Sequence, residues 1–472
     1  MAQVSRQDEA ISWGGAQQMS AWEALMWRAE ADARTSSTGI LLEILDGPPE
    51  WSRLLAAHRR TVERIPRLRE RVVEPPMPLV QPAWSGVADF DVADHVRLAE
   101  LEPGVTITEF CEAELARPLD LTRPPWESVL VTGLPEGQAA YLFRVHHSLT
   151  DGLGLVQLMS LAHSATAVPG TATDPAPPVV RPVLTPESLL HDQVAEQLRD
   201  LPGQVADGVR GLLSEMGRAA SRPQETVSEG VRFLGSLGKM LGPPPTPGSP
   251  LLVDRTVGHR FLTLDVSLDA LKRAAYAAGG SVNDAYVAGL LGGLRRHHEL
   301  YGVMVDAIPV AMPVSVRREG DPLGGNRFAG IRIAGPLAEP DPAERIRTIR
   351  ELVLAMREEP ALGFLDLLSP VLTKLPTKAI VELSANLTAA SDVQVSNIRG
   401  LSRPVYLAGR RVLRTYPLGP RPGIPAMVAM ITYDGVCCLG FNVDPGLFPD
   451  REALRQCLRD GFDEVLALGG GE

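Results

Sequence analysis

Two proline-rich stretches, VPGTATDPAPPVVRP (Val168–Pro182) and PPPTPGSP (Pro243–Pro250), constrain this chain more than any other feature. Proline fixes φ and removes a backbone donor, so neither stretch can lie inside a helix or a central strand. They bracket weaker, amphipathic text, and the chain divides into residues 1–165, a connector over 166–250 and residues 251–472. The length agrees, because 472 residues exceed one ordinary core at the usual ~100–200 residues per domain.

Both flanking regions alternate strand-like and helix-like patterns. In the first, SAWEALMW opens a helix, ILLEIL (Ile40–Leu45) reads as a strand, and the helical spacing from Trp51 is interrupted at Pro66. A strand, AAYLFRVHH (Ala139–His147), then leads into a helix, GLVQLMSLAHSA (Gly154–Ala165). In the last, HRFLTLDV, AIPVAMPVSV, RFAGIRIAG, SDVQVSNI and MVAMITYDGVCCLGFNV read as strands, with helices over SLDALKRAAYAAGG, SVNDAYVAGLLGGLRRHHEL and DREALRQCLRDGFDEVLAL. The expected fold is α/β (α+β), two sheets with flanking helices. Within the connector, apolar residues recur at helical spacing three times, ending with Val227, Val231, Leu234 and Leu237. Thr185 before Pro186 is a cap and first-turn proline for the first of these helices. The stretches either cover the body of the protein or lie on a membrane surface.

A net charge of −11 argues against nucleic acid as a partner, since neutralising phosphates needs a basic face. The opening MAQVSRQDEA is not a signal peptide, and no window approaches the ~18 apolar residues of a membrane span, so a cytoplasmic location is expected. Cys111, Cys437, Cys438 and Cys457 show no ligand or framework spacing and read as reduced and structural.

Among only nine histidines, His146 and His147 stand side by side in FRVHHSLTDGLG. On a strand, neighbouring side chains face opposite ways. The two rings therefore do not converge on one metal ion, and no further His or Cys with ligand spacing lies nearby. One histidine facing a cleft with the other packed inward fits the geometry, and a neutral imidazole can take a proton from a hydroxyl that attacks a carbonyl. Asp151 can fix the loop by capping the next helix or pairing with an arginine, and Gly152 allows a bend. No GxSxG elbow is present, which leaves direct acyl transfer rather than a serine nucleophile. A purely structural histidine pair remains the alternative on these grounds.

HHSLTDG has the HHxxxDG form and resembles that of the wax ester synthase/diacylglycerol acyltransferase family, within the wider superfamily of acyl-CoA-dependent acyltransferases and condensation domains. Four further blocks resemble the family's in the same order: RPLDLTRPPWE, SVNDAYVAGLLGGLRRH, PVSVRREGDPLGGNRFAGIRI and DVQVSNIRG with PVYLAGRRVLRTYPLGP. Pro125 and Arg399 depart from the usual leucine and proline.

The resemblance implies two chloramphenicol-acetyltransferase-like domains facing a channel, with His147 the general base and His146 and Asp151 supporting its loop. It also implies long-chain acyl-CoA as co-substrate, no bound cofactor or metal, diacylglycerol or a fatty alcohol as acceptor, and peripheral association with a membrane or lipid droplet. Gly152, Asn283, Asp284, Asn326, Ser396 and Asn397 become substrate-site candidates. Each has a plainer reading: Ser281 and Asp284 form a capping box, Asn283 follows that cap, Asn326 turns the chain, and Ser396 and Asn397 end a strand. Small residues in AYVAGLLGG and GGNRFAG either leave room beside the channel or serve close packing. Arg410, Arg411 and Arg414 either meet the CoA phosphates or form a solvated face. The rival functions are wax ester synthesis as the main activity, acylation of an amine or polyketide-type alcohol, and a non-catalytic lipid-binding relative.

Overall fold

The computed structural model describes residues 13–14, 16–77, 80–168, 181–193, 195, 243–315, 328–359 and 372–470. Its main elements begin with α1 (Ala21–Ala29), β1 (Thr38–Leu45), α2 (Trp51–Arg64), β2 (Glu70–Val73), β3 (Ala83–Gly86) and β4 (Val96–Glu100). Next come α3 (Ile107–Ala116), β5 (Trp126–Thr132), β6 (Ala139–His146) and α4 (Gly152–Ala162). After the connector follow β7 (Arg260–Ser267), α5 (Leu268–Ala277), α6 (Val282–Leu300), β8 (Ala307–Ser315), β9 (Phe328–Pro336), α7 (Pro342–Arg357) and α8 (Thr377–Ala389). The chain ends with β10 (Val393–Ile398), β11 (Tyr406–Leu407), β12 (Arg410–Leu418), β13 (Ala426–Tyr433), β14 (Val436–Val443) and α9 (Arg451–Ala467).

The strands form two mixed six-stranded sheets, β11-β12-β1-β6-β5-β4 and β7-β14-β13-β10-β8-β9, with β2 and β3 as a separate pair. The first sheet is covered on both faces. Leu41, Phe143 and Val145 pack with the buried apolar side chains of α2 and α4, whereas Ile40, Leu42 and Leu142 pack against the α3 side. Burial on both faces explains why ILLEIL lacks a clean apolar–polar alternation.

The first sheet is not built from the first region alone. After β10 the chain crosses over, pairs β12 antiparallel to β1 with Ile40 opposite Leu418, and returns as β13 and β14 to the second sheet. At the crossover the Pro417 carbonyl lies so near Gly440 that a Cβ there would come within 2.2 Å of it, so the two sheets meet backbone to backbone. A second tie runs from α3, where the Glu112 carboxylate accepts from the Phe261 N–H (2.7 Å) and from Arg451 (2.6 Å).

The expected caps at Ser281 and Thr185 form, and Ser20 adds one that was not expected. Ser20 with Glu23 and Ser281 with Asp284 form capping boxes, and the Thr185 hydroxyl accepts from the Ser188 N–H (3.1 Å). The amphipathic stretches beyond residue 195, up to residue 242, lie outside the described residues. All four cysteines are free and buried.

The glycines of α6 settle one expectation. A Cβ on Gly289 would lie 2.7 Å from the Phe462 ring, and one on Gly292 would collide with the Glu464 and Arg345 side chains. These residues bring α6 against α9 and leave no room for a substrate channel, because the space beside them is already filled.

Candidate active site

The site forms where β6 ends. Thr38 pairs with His146 at the last rung of β1 and β6, and the His147 N–H then donates to the Ser37 carbonyl (2.9 Å). His146 is fully buried, whereas His147 is partly exposed. Strand alternation thus sends one ring inward and the other toward open space.

The inward ring is held on several sides. The Ser148 N–H donates to His146 Nδ1 (3.1 Å), so Nδ1 is the acceptor and the Ser148 hydroxyl at 2.7 Å also donates to it. Nε2 then carries the ring's one N–H and faces the Glu30 carboxylate at 3.3 Å, without the alignment of a full hydrogen bond. The Trp27 ring meets His146 edge-on at 5.3 Å. Burial works to raise the Glu30 pKa, but His146, the Ser37 N–H (2.5 Å) and the Ser36 hydroxyl (2.8 Å) together hold it below the usual carboxylate value. This support arises at the end of α1, where no motif marks Glu30 in the sequence.

Asp151 is the N-cap of α4. Its Oδ1 accepts from the Gly154 N–H at 2.8 Å, and the residue is buried. Gly152 is required by close approach: a Cβ there would stand 2.7 Å from Ile398 Cδ1, at the end of β10 in the other sheet. The Asp-Gly pair therefore starts the helix and lets the second sheet close onto the His147 loop.

The block upstream braces the same strand. The Pro125 carbonyl accepts from the His146 N–H (3.0 Å), and Trp126 donates its indole N–H to the Leu68 carbonyl (2.8 Å). Glu127 pairs with the fully buried Arg144 at 2.7 Å. Arginine in the middle of LFRVHH is thus a buried anchor for β6.

Two cavities open on His147. The larger, of about 320 Å³, lies between α1 and α8 on one side and β8, β9 and the loop after β12 on the other. Its lining is mostly apolar, from Trp22, Met26, Leu383 and Leu387 to Met427, and includes Arg332. Burial lowers the Arg332 pKa. Gly330 of the AGIRI segment borders this cavity, with nothing in the space its Cβ would take. The smaller, of about 80 Å³, is bounded by His147, Thr150, Asp151, Gly152, Ser396 and Ile398 among others.

The structure therefore brings His147, Asp151, Gly152 and Ser396 around one cavity, with His146 directly behind. Asn397 donates to Asn283 at 3.4 Å, but neither lines the two cavities. Asp284 is buried in its capping box, 3.7 Å from Arg350. Asn326 lies outside the described residues. Arg410 donates to the Pro48 carbonyl, Arg411 pairs with Asp434 and Arg414 with Asp265, so all three serve surface contacts between strands and loops.

Two sheets closed over a histidine at a strand end, with apolar space on either side, define the arrangement of a two-lobed acyltransferase. Residues 19–286 match the wax ester synthase/diacylglycerol acyltransferase catalytic domain and residues 324–465 match the WS/DGAT C-terminal domain. A Mycobacterium tuberculosis protein provisionally named a diacylglycerol O-acyltransferase is 39% identical over 95% of this chain and 91% of its own length. The wax ester synthase/diacylglycerol acyltransferase from Marinobacter aquaeolei VT8 superposes over 96% of this chain and 100% of its own, with a TM-score of 0.64 at 18% identity. The first condensation domain of the CDA synthetase does so over 97% of each chain, with a TM-score of 0.57 at 17% identity. The chain belongs to the wax ester synthase/diacylglycerol acyltransferase family and is an acyltransferase.

Proposed function

We propose that this protein transfers a long-chain acyl group from acyl-CoA to the hydroxyl of diacylglycerol, and also accepts fatty alcohols, with His147 as the general base. The observation that carries this reading is the position of His147, whose ring borders a wide apolar cavity and a narrow one at once. Two long-chain substrates can then reach one imidazole from different directions. The names and relatives of the family support the substrate class.

The acceptor oxygen attacks the thioester carbonyl as His147 removes its proton. The tetrahedral oxyanion forms beside Ser396, whose hydroxyl donates to it from the second sheet. When the C–S bond breaks, His147 returns the proton to the CoA thiolate, so the base is restored. This chemistry calls for no bound cofactor or metal. His146, fixed through Ser148 and Glu30, and Asp151, fixed as the α4 cap, position the loop.

Diacylglycerol is favoured because the cavity between α1 and α8 is wide and mostly apolar, as a two-chain glycerolipid needs. An apolar pocket discriminates weakly, by ~1–3 kcal/mol per methylene-sized difference, which leaves fatty alcohols as substrates. The enzyme works at a membrane or lipid-droplet surface without spanning it; among the described residues no helix is long and apolar enough to cross a membrane. Thiol release from palmitoyl-CoA with dioleoylglycerol, hexadecanol or an amine acceptor tests the reading. Turnover with dioleoylglycerol above hexadecanol supports it, and turnover confined to the amine removes it.

A further inference from the structure

A third cavity, of about 40 Å³, lies beneath the first sheet, between that sheet and helices α2 and α4. It shares two walls, Leu41 and Leu155, with the smaller cavity at His147. Its surface is mostly apolar, although His58, Thr61 and Tyr141 also border it, and it includes Ala57 and Ala162, where larger side chains would close the space. Protein interiors leave few voids larger than a water molecule, and each void forfeits packing contacts. An open space here, separated from the reacting centre by two leucines, therefore invites a ligand.

We propose that this inner cavity is the end pocket for the alkyl chain of the acyl donor, entered from the His147 site between Leu41 and Leu155. The assignment rests on the reading of His147 as the centre of acyl transfer. A narrow passage suits a single chain, whereas the wide cavity on the other side of His147 suits a bulkier acceptor.

The far wall sets how deep the chain reaches. His163 donates from Nδ1 to the Met159 carbonyl (2.7 Å), and its Nε2 meets Glu43 Oε2 at 2.9 Å, so the two side chains share a proton across a buried contact. Glu43 is fully buried, lines the cavity, and its Oε1 has no hydrogen-bond partner. A terminal methyl cannot solvate that oxygen, so a chain end stops short of it. Ala57 and Ala162 fix the width, and the Glu43–His163 pair forms the floor.

The experiment compares kcat/KM for palmitoyl-CoA and octanoyl-CoA with one fixed acceptor, and for hexadecanol and octanol with one fixed donor. Ala162→Leu should lower the palmitoyl-to-octanoyl ratio about tenfold, as expected when a filled pocket excludes several methylenes, and leave the acceptor ratio in place. An unmoved donor ratio overturns the proposal; a shift in the acceptor ratio instead assigns the pocket to the acceptor and also overturns it. Should Ala162→Leu fail to fold, Ala57→Val is read in the same way. Leu155→Ala should raise the rate of a methyl-branched donor relative to a straight one, and no change there removes the passage. The same donor ratio is read as binding affinity by titrating each acyl-CoA into His147→Ala and into His147→Ala with Ala162→Leu. That binding readout stands even if His147 is not the base, so the two ideas fail separately.

Discussion

The chain carries adjacent histidines twice, and the two pairs lead different lives. His146 and His147 sit where a strand runs out: one ring is packed on Trp27 and Glu30, and the other borders two cavities. His297 and His298 sit in the last turn of α6, and both are buried. His298 donates from Nδ1 to the Leu294 carbonyl (2.7 Å), so its Nε2 accepts from the Ser249 hydroxyl (2.8 Å). The His297 ring lies 5.0 Å from those of both Tyr301 and Phe448. Burial, with His298 beside it, pushes the His297 pKa down to about 4. Adjacency in sequence is therefore not the functional signal. A histidine gains access to chemistry where regular structure ends beside open space, and becomes packing where neighbouring side chains fill that space.

That comparison can be broken most directly at His147. His147→Ala should lower turnover by at least ~10²-fold with folding intact, the loss expected for a general base. A folded variant with near-wild-type thiol release would remove the distinction between the pairs.

The second pair should answer in stability. His298→Ala strands the Ser249 hydroxyl in a buried position and opens a void, so urea denaturation should show a loss of ~1–3 kcal/mol. Turnover of the folded fraction should change little, and a large fall would give the second pair a part in the reaction.

Gly152 sharpens the comparison by asking how the loop is held. Gly152→Ala puts a Cβ against Ile398, and the overpacking should cost ~1–2 kcal/mol and reduce turnover together. Adding Ile398→Val should recover part of both losses, since the residues touch. Strict additivity of the two changes would show that the contact is not what glycine serves.

The smallest effect is a change of slope with pH. His297 has a folded pKa near 4 against 6.5 for the free group, so as pH falls from about 6.5 towards 4 the unfolded chain binds a proton that the folded one refuses, and stability drops. His297→Phe should flatten that limb in urea titrations. His163 has the opposite sign. Burial opposes its charge, but Glu43 outweighs this and raises its pKa. Its contribution is complete below the ordinary histidine value and fades as pH rises through the raised one. Chemical denaturation of His163→Gln across that window should show its deficit shrinking with rising pH, and a constant deficit would mean that the pair is not ionic in the folded state.

Much of the local structure was legible in the chain itself. The capping box at Ser281, a strand running into the histidine pair and the Asp151 cap of the next helix all follow from short-range rules, because each is settled by residues within one turn or one rung. The strand stops one residue earlier than the sequence pattern places it, at His146, and the helix starts two residues earlier, at Gly152. The ordered motif blocks were enough for the family. The buried charges left only a faint trace, a glutamate inside ILLEIL and an arginine inside LFRVHH, with nothing to say which partner each would meet.

The partners were decided in three dimensions. Strand propensity marks Arg410–Leu418 as extended at most, and it cannot tell that this segment leaves the second sheet to pair with β1. Whether the glycines of α6 face a channel or a helix depended on Phe462 and Glu464, more than 160 residues away. The cavities could not be read at all, since a void is a property of side chains converging from several elements and not of any one segment. The sequence by itself settled which histidine pair ends a strand; only the packing of one sheet on the other put open space beside His147 and filled it around His297 and His298.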